Sequence, residues 1–529
     1  MSMSVRVLLL LFIEYGFARD LCAQLSERGL QRLQKSTVRV MCGDDQSSGV
    51  IVSEGGDILT VAHGLQGDSR EIYVYRNDGS RYPAERILMD READIAILKI
   101  SVAPANGQEL SFVPVAADLD QQDLRDATVV ATGYPARVPE ALNSLPRLGR
   151  IRSVEDGVIR TTCMLTVGDS GGALMNGNGQ LIGIHRQIGL GIEANVHLSM
   201  ARIRGVIQKR SELRRMLVIE AGTPILAAAS GDLLKRSLEA VSSRTVVVFQ
   251  KAKGAETRGA GIPGIRLDAR RVVTKLSELS RGTPITCRLS NGREEPAQVL
   301  QEDSVRDLII LELDAGAGLP DVAPLEMAMP VAGDLVYAVT GQENDGAVRI
   351  SVPGVLGRVG YDEPAVPAKL GAILEVDPMS GFLRFREVSP NGPAAAAVIE
   401  AGDVLLGLDG HEVRDLGGLA RLLGGRQPGD FLSFDIRRNE RRLVSALQLG
   451  HDPAERFEKR EYLDGRAGAV SFRRTGFRGV CQHDIPLQPL ECGGMLLNSR
   501  GHWVGINIAR RSRESTLAIP ADQLLQKDQ

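Results

Sequence analysis

Aromatic residues are scarce: the chain of 529 residues has 11 Phe, 8 Tyr and one Trp. A core dominated by large rings is thereby excluded, and the apolar share of 43% rests on aliphatic side chains. Charge of one sign is missing as well, since 63 Lys and Arg face 66 Asp and Glu for a net charge of −3. That balance gives no electrostatic case for a nucleic-acid partner. No apolar run approaches the roughly 18 to 20 residues that cross a bilayer, so no membrane span is expected. Cysteines number six, none in CxxC spacing, and thiolate metal binding is not predicted. Cys42 with Cys163, or Cys481 with Cys492, are the disulfide pairs an exported chain would allow, and isolated buried thiols explain the same residues.

What is abundant is Gly (58) and Pro (24), which suits many short strands joined by turns, and a chain this long predicts several domains. At the N-terminus, Arg6 precedes an apolar run from Val7 to Ile13, followed by the small residues Gly16 and Ala18. This is the layout of a secretory signal, assigned to residues 1–23, although Glu14 is atypical and a buried strand is the alternative. Export to a periplasmic or extracellular space is expected.

The chain repeats itself once. Thr37-Val-Arg-Val recurs as Thr245-Val-Val-Val, Thr60 as Thr274, Asn77-Asp-Gly as Ser290-Asn-Gly, and Asp94-Ile-Ala-Ile-Leu as Asp307-Leu-Ile-Ile-Leu. Later, Ser170-Gly-Gly-Ala-Leu answers to Cys492-Gly-Gly-Met-Leu. A duplicated β-rich domain is predicted, 36–208 and then 244–360 plus 453–525, with 209–243 as a linker and helical lead-in. From Asp94 to Ser170 is 76 residues and from Asp307 to Cys492 is 185, so the second copy has room for an inserted domain.

Hydrolysis through a hydroxyl needs a base beside it, a carboxylate to orient that base, and N–H donors for the developing oxyanion. The first copy offers all of these. Ser170 lies in Val167-Gly-Asp-Ser-Gly-Gly, His63 ends Ile-Leu-Thr-Val-Ala-His, and Asp94 opens an apolar strand. Singly each has a bland reading, as a structural turn, a core histidine or a strand-start residue. Together, in this order, they make the segment from about Ser36 to Gln208 resemble the trypsin-like serine proteases, and within them the HtrA/Deg family. The resemblance implies a double β-barrel with Ser170 as nucleophile, His63 as general base, Asp94 as its orienting carboxylate, and Gly168 and Ser170 as oxyanion donors. Asp169 stands where the bacterial family usually has Asn. The specificity pocket is assigned to Gly183–Gln187 and to the segment near Asn195-Val-His197, with His185 and His197 as wall or surface residues.

In the second copy Ser277 stands at the histidine position and Cys492 at the serine position, while Asp307 survives. A thiol without a neighbouring imidazole is not activated, and neither His483 nor His502 has the strand-end position of a base. This copy is read as degenerate and non-catalytic.

The inserted segment 366–450 contains Ser389-Pro-Asn-Gly-Pro, Ala401-Gly-Asp-Val-Leu and an amphipathic stretch from Leu416 to Leu423, and it resembles a PDZ domain. The resemblance implies an extended peptide added at the edge formed by Ala372, Ile373 and the residues to Val376, an apolar pocket at Leu419, Leu422 and Leu423, and a terminal-carboxylate cradle at Lys369, Leu370, Gly371 and Ala372. Ala372 replaces the second glycine of that cradle.

The whole is therefore expected to be mainly β, two tandem trypsin-like double β-barrels with an α+β PDZ domain inserted in the second. By resemblance it is an exported endopeptidase of unfolded or exposed polypeptides, binding peptide or C-terminal ligands at the PDZ groove, and homo-oligomers are common among the proteins it resembles. No metal or cofactor is implied. The rival reading is a latent or non-catalytic PDZ adaptor built on protease-like barrels.

Overall fold

The computed structural model describes residues 23–525 apart from 67–70, 102–109, 118–126, 137–143, 190–194, 214–215, 229–231, 251–260, 281, 315–318, 320, 343–347, 352, 391 and 451–468. The expected leader lies almost wholly outside the described residues. Its last residue, Ala23, opens the strand Ala23–Leu25, which pairs antiparallel with Leu226–Ala228 in the expected linker. The helix Glu27–Ser36 follows, its first turn capped by the Ser26 side chain accepting from the Gly29 N–H.

The strands are short and β-branched, as the composition predicts, and they close on themselves. One six-stranded barrel runs Thr37–Cys42, Asp45–Ile51, Asp57–Thr60, Ile95–Ile100, Arg81–Asp90 and Ile72–Tyr75. A second runs Val158–Thr161, Asn195–Ser199, Leu181–Gln187, Ala173–Asn176, Thr128–Gly133 and Leu145–Glu155. Closure leaves no free sheet edge. The apolar cluster containing Val50, Leu59 and Ile97 of the first barrel continues into Val130, Ala173 and Ile184 of the second, so the two barrels share a core.

The same design recurs. A third closed barrel joins Thr245–Gln250, Ile262–Arg266, Arg271–Lys275, Leu308–Leu313, Glu294–Asp303 and Ile285–Arg288. Beyond it lies a seven-stranded sheet in which Leu335–Gln342 also pairs Met495–Asn498. Within that sheet Gly354–Tyr361 pairs Val480–His483 across the inserted residues, which form a separate sheet of Ala372–Val376, Leu383–Val388, Val404–Leu408, Phe431–Arg438 and Arg441–Gln448 with the helix Leu416–Leu423. The fold is mainly β, with closed six-stranded barrels and an α+β module.

Of the two readings of the cysteines, the structure has the buried thiols: Cys42, Cys163, Cys287, Cys481 and Cys492 are all buried, and neither Cys42 with Cys163 nor Cys481 with Cys492 forms a disulfide. They fill small core positions.

Candidate active site

Asp57–Thr60 delivers His63 into a short helical turn, Ala62–Leu65, at the mouth of the first barrel. Asp94 precedes the strand Ile95–Ile100 with a left-handed backbone, φ +60. That conformation turns its carboxylate back onto the histidine. Oδ1 accepts the His63 backbone N–H at 3.0 Å, and Oδ2 lies 2.9 Å from Nδ1. With Nδ1 donating to the carboxylate, Nε2 is the ring's acceptor. Burial pushes the Asp94 carboxyl up, but bonds from the His63 ring and backbone, the charge of His63 and a bond from Arg186 outweigh it and hold the group below the usual carboxylate range.

The serine lies on a turn fastened from both barrels. Ser48 N–H donates to the Ser170 carbonyl at 2.8 Å, and Ser48 Oγ donates to the Gly168 carbonyl at 2.8 Å while accepting from the Tyr134 N–H. Gly168 has φ +97, where a side chain would be strained and would run into Tyr134 and Ala136. In a trans peptide the C=O and N–H point opposite ways. The Val167 carbonyl is held by Ala136 N–H and the Asp169 carbonyl by Gly172 N–H, both at 2.8 Å, so the N–H groups of Gly168 and Ser170 face the other side. Neither donates to an acceptor among the described residues. Two such donors on one turn can receive a developing oxyanion.

The family model for a trypsin-like peptidase domain matches residues 47–184, and that for a PDZ domain matches residues 374–449. A probable periplasmic serine endoprotease DegP-like from Halomonas elongata is 26% identical over 395 residues, covering 71% of this chain and 73% of its own. The serine protease HTRA1 of Xenopus tropicalis is 37% identical over 147 residues, 26% of this chain and 30% of its own. A crystal structure of the serine endoprotease from Yersinia pestis aligns over 80% of this chain and 96% of that one, at 16% identity and a TM-score of 0.30. The chain is a serine endopeptidase with a trypsin-like peptidase domain and a PDZ domain, similar to proteases of HtrA/Deg type.

In this endopeptidase the three site residues predicted from the sequence converge on one face, together with a residue that sequence reasoning missed. Arg186 Nε donates to Asp94 Oδ2 at 3.2 Å, and the Arg186 carbonyl lies 3.5 Å from Ser170 Oγ. The only sequence signal was its place in Gly183–Gln187, read as pocket wall. Expectations for His185 and His197 are corrected, since neither is a surface residue. Both are fully buried, with Nδ1 atoms 2.9 Å apart and His197 Nε2 2.7 Å from Thr161 Oγ1. Burial drives both imidazoles to the neutral form, His197 to about 3.

The second copy keeps the scaffold of the site without its chemistry. Asp307 repeats the φ of +60, and its carboxylate accepts the N–H and the Oγ of Ser277, each at 2.8 Å, as Asp94 accepts from His63. Thr60 and Thr274 also repeat one another, each donating its hydroxyl to a carbonyl of the neighbouring strand at 2.7 Å. Burial pushes the Cys492 thiol up to about 11, which disfavours the thiolate a nucleophile needs. Its N–H, the counterpart of the Ser170 donor, is spent on the Pro489 carbonyl at 3.1 Å in a tight turn. Leu490 replaces Gly168 there, and a turn without that glycine closes on itself. His483 is bonded to Asn507 and His502 to Glu326, so neither serves the thiol.

In the PDZ module Ala372–Val376 is an edge strand, paired with Leu383–Val388 alone among the described residues. The Leu370 and Gly371 carbonyls accept from Ala394 and Ser389, and their N–H groups have no acceptor among the described residues. Leu422 and Leu423 of the helix pack with Ala372 and Leu374 against a core that includes Leu370 and Leu419. Ile373 is exposed, and Leu374, which the motif reading did not single out, is the edge-strand residue packed against that core. Lys369 is fixed by its backbone bonds to Gly450.

Proposed function

We propose that the chain is an exported endopeptidase that cleaves unfolded or exposed polypeptides at Ser170 and contributes to protein quality control. The observation that carries this reading is the pair of undonated N–H groups, Gly168 and Ser170, on the turn that holds Ser170, beside an imidazole oriented by Asp94. Ser170 Oγ attacks the scissile carbonyl carbon while His63 Nε2 takes the hydroxyl proton. The carbonyl electrons move onto oxygen, which the two N–H groups receive. Asp94 supports the imidazolium and stays ionised. Collapse expels the amine, which leaves with the proton from His63, and water then attacks the acyl-enzyme by the same route in reverse. Peptide or C-terminal segments bind along Ala372–Val376, with the Leu370 and Gly371 N–H groups offered to a terminal carboxylate. Export is supported by the leader-like N-terminus and by the periplasmic name of the Halomonas relative. No helix among the described residues is long and apolar enough to cross a membrane.

One observation favours the rival, latent reading: Ser170 Oγ is directed to the Arg186 carbonyl and makes no hydrogen bond to His63 among those described. Casein cleavage separates the two. Wild type should degrade unfolded casein and Ser170→Ala should not; equal inactivity of both would favour the latent adaptor.

A further inference from the structure

We propose that the non-catalytic second copy is a built-in clamp on the oxyanion turn of the first, acting through Asp484. This rests on Ser170 being the nucleophile. Asp484 belongs to the second copy, just after the strand Val480–His483. It is buried, and its carboxylate bridges the two copies: Oδ1 accepts Val355 N–H and Oδ2 accepts Leu148 N–H, both at 2.6 Å. Leu148 sits in the strand Leu145–Glu155 of the first copy, immediately after Arg147.

Arg147 carries the contact onward. Its guanidinium is fully buried, donates to both carboxylate oxygens of Asp169 and holds the Met164 carbonyl at 3.1 Å. Burial works against both charges, but the guanidinium stays protonated in proteins, and Asp169 raises it further still. Asp169 Oδ2 in turn accepts Thr166 N–H at 2.7 Å, closing the turn that displays the Gly168 and Ser170 N–H groups. The path from Val355 through Asp484, Leu148, Arg147 and Asp169 to Ser170 is continuous, each step a hydrogen bond or an adjacent residue. A second contact runs beside it, from Arg513 of the second copy to Asn195 Oδ1 at 3.1 Å, and Asn195 opens a strand paired with the one that carries Arg186.

An apolar side chain would fill the space between the copies at lower desolvation cost than a carboxylate. What the carboxylate adds is two directional bonds, one to a strand of each copy. Asp484 is thus a positioning residue: it fixes the height of the strand bearing Arg147, and through it the oxyanion turn. The expected signature of Asp484 falls on turnover and leaves substrate capture alone, since its two bonds, to Leu148 and Val355, touch neither the PDZ groove nor the pocket wall.

The test uses the full chain and a short chromogenic peptide ester, with Ser170→Ala first establishing that wild-type turnover belongs to Ser170. Asp484→Asn keeps the shape but offers only one acceptor atom. It should lower kcat about ten-fold or more with KM within about two-fold, while emission from Trp503, the one tryptophan and a buried residue of the second copy, keeps its wild-type wavelength. Cys492→Ala, equally buried in the second copy but off this path, should keep wild-type kcat. In an Asp169→Asn background the extra loss from Asp484→Asn should shrink to about two-fold. Unchanged kcat in folded Asp484→Asn, or full additivity with Asp169→Asn, would overturn the proposal. If Asp484→Asn does not fold, Asp484→Leu provides the comparison, since it fills the space without the two bonds: a fall in kcat at constant KM supports the clamp, and wild-type kcat refutes it.

Discussion

Ser170, His63 and Asp94 were legible from the sequence because chemistry constrains their type, order and flanking glycines all at once. Arg186 was not, since its effect depends on which way one side chain leaves the strand Leu181–Gln187, and the bulge between His185 and Gln187 alters that alternation. The guanidinium beside Asp94 competes with His63 for the same carboxylate oxygen. Removing it takes away one of the bonds that hold the Asp94 carboxyl below the usual carboxylate range. Arg186→Ala should therefore raise the pKa of Asp94, followed by its carboxyl chemical shift against pH, and Arg186→Lys should raise it less. An unmoved Asp94 would mean that solvent screens the arginine. Ser170→Ala should lower kcat by about a thousand-fold or more, as loss of one member of a cooperating set does, while Cys492→Ala should stay within about a few fold. His185 and His197 were misplaced for a related reason: a polar residue on a short strand carries no periodic sign of facing inward, and each is made tolerable there by the other.

At the scale of the element, the two serine-type turns differ by where their N–H groups go. The first copy leaves two undonated because Gly168 can hold φ +97; the second spends its equivalent on Pro489. Gly168→Ala should thus fold but lose about a hundred-fold in kcat, with KM little changed. Wild-type kcat in that variant would show that the turn tolerates the methyl group and that its geometry is not the source of activity. The second copy has an element-level signature in its pH response. Burial raises Asp307 from 3.8 to about 6, against the pull of Lys275, Arg473 and the Ser277 bonds. The folded chain therefore holds this proton to higher pH than the unfolded chain does. The stability so contributed is fully present below the unfolded value and lost as pH rises through about 6. Urea midpoints read by Trp503 emission should fall less steeply between pH 4 and 6 in Asp307→Asn than in wild type; parallel slopes would contradict this.

Over the whole molecule, the duplication was readable because the same landmarks, Thr60 and Thr274, Asp94 and Asp307, Ser170 and Cys492, hold equivalent places in closed barrels. The insertion was readable as a break in that register, and the structure spans it by pairing Gly354–Tyr361 with Val480–His483. Contacts between the copies were not readable. Asp484 has no motif around it, and its role arises from two backbone N–H groups, of Leu148 and Val355, that lie far from it in sequence. The cysteines stayed open between disulfides and buried thiols at this scale too, because cysteine pairing depends on the approach of elements that spacing alone does not set.

The central claim is that one of the two copies is a working serine site and the other is not. Mass spectrometry of the intact chain after treatment with a fluorophosphonate tests this most directly. The account predicts a single adduct, on the peptide carrying Ser170, absent from Ser170→Ala and from His63→Ala. No adduct on wild type, or an adduct retained in Ser170→Ala, would contradict it.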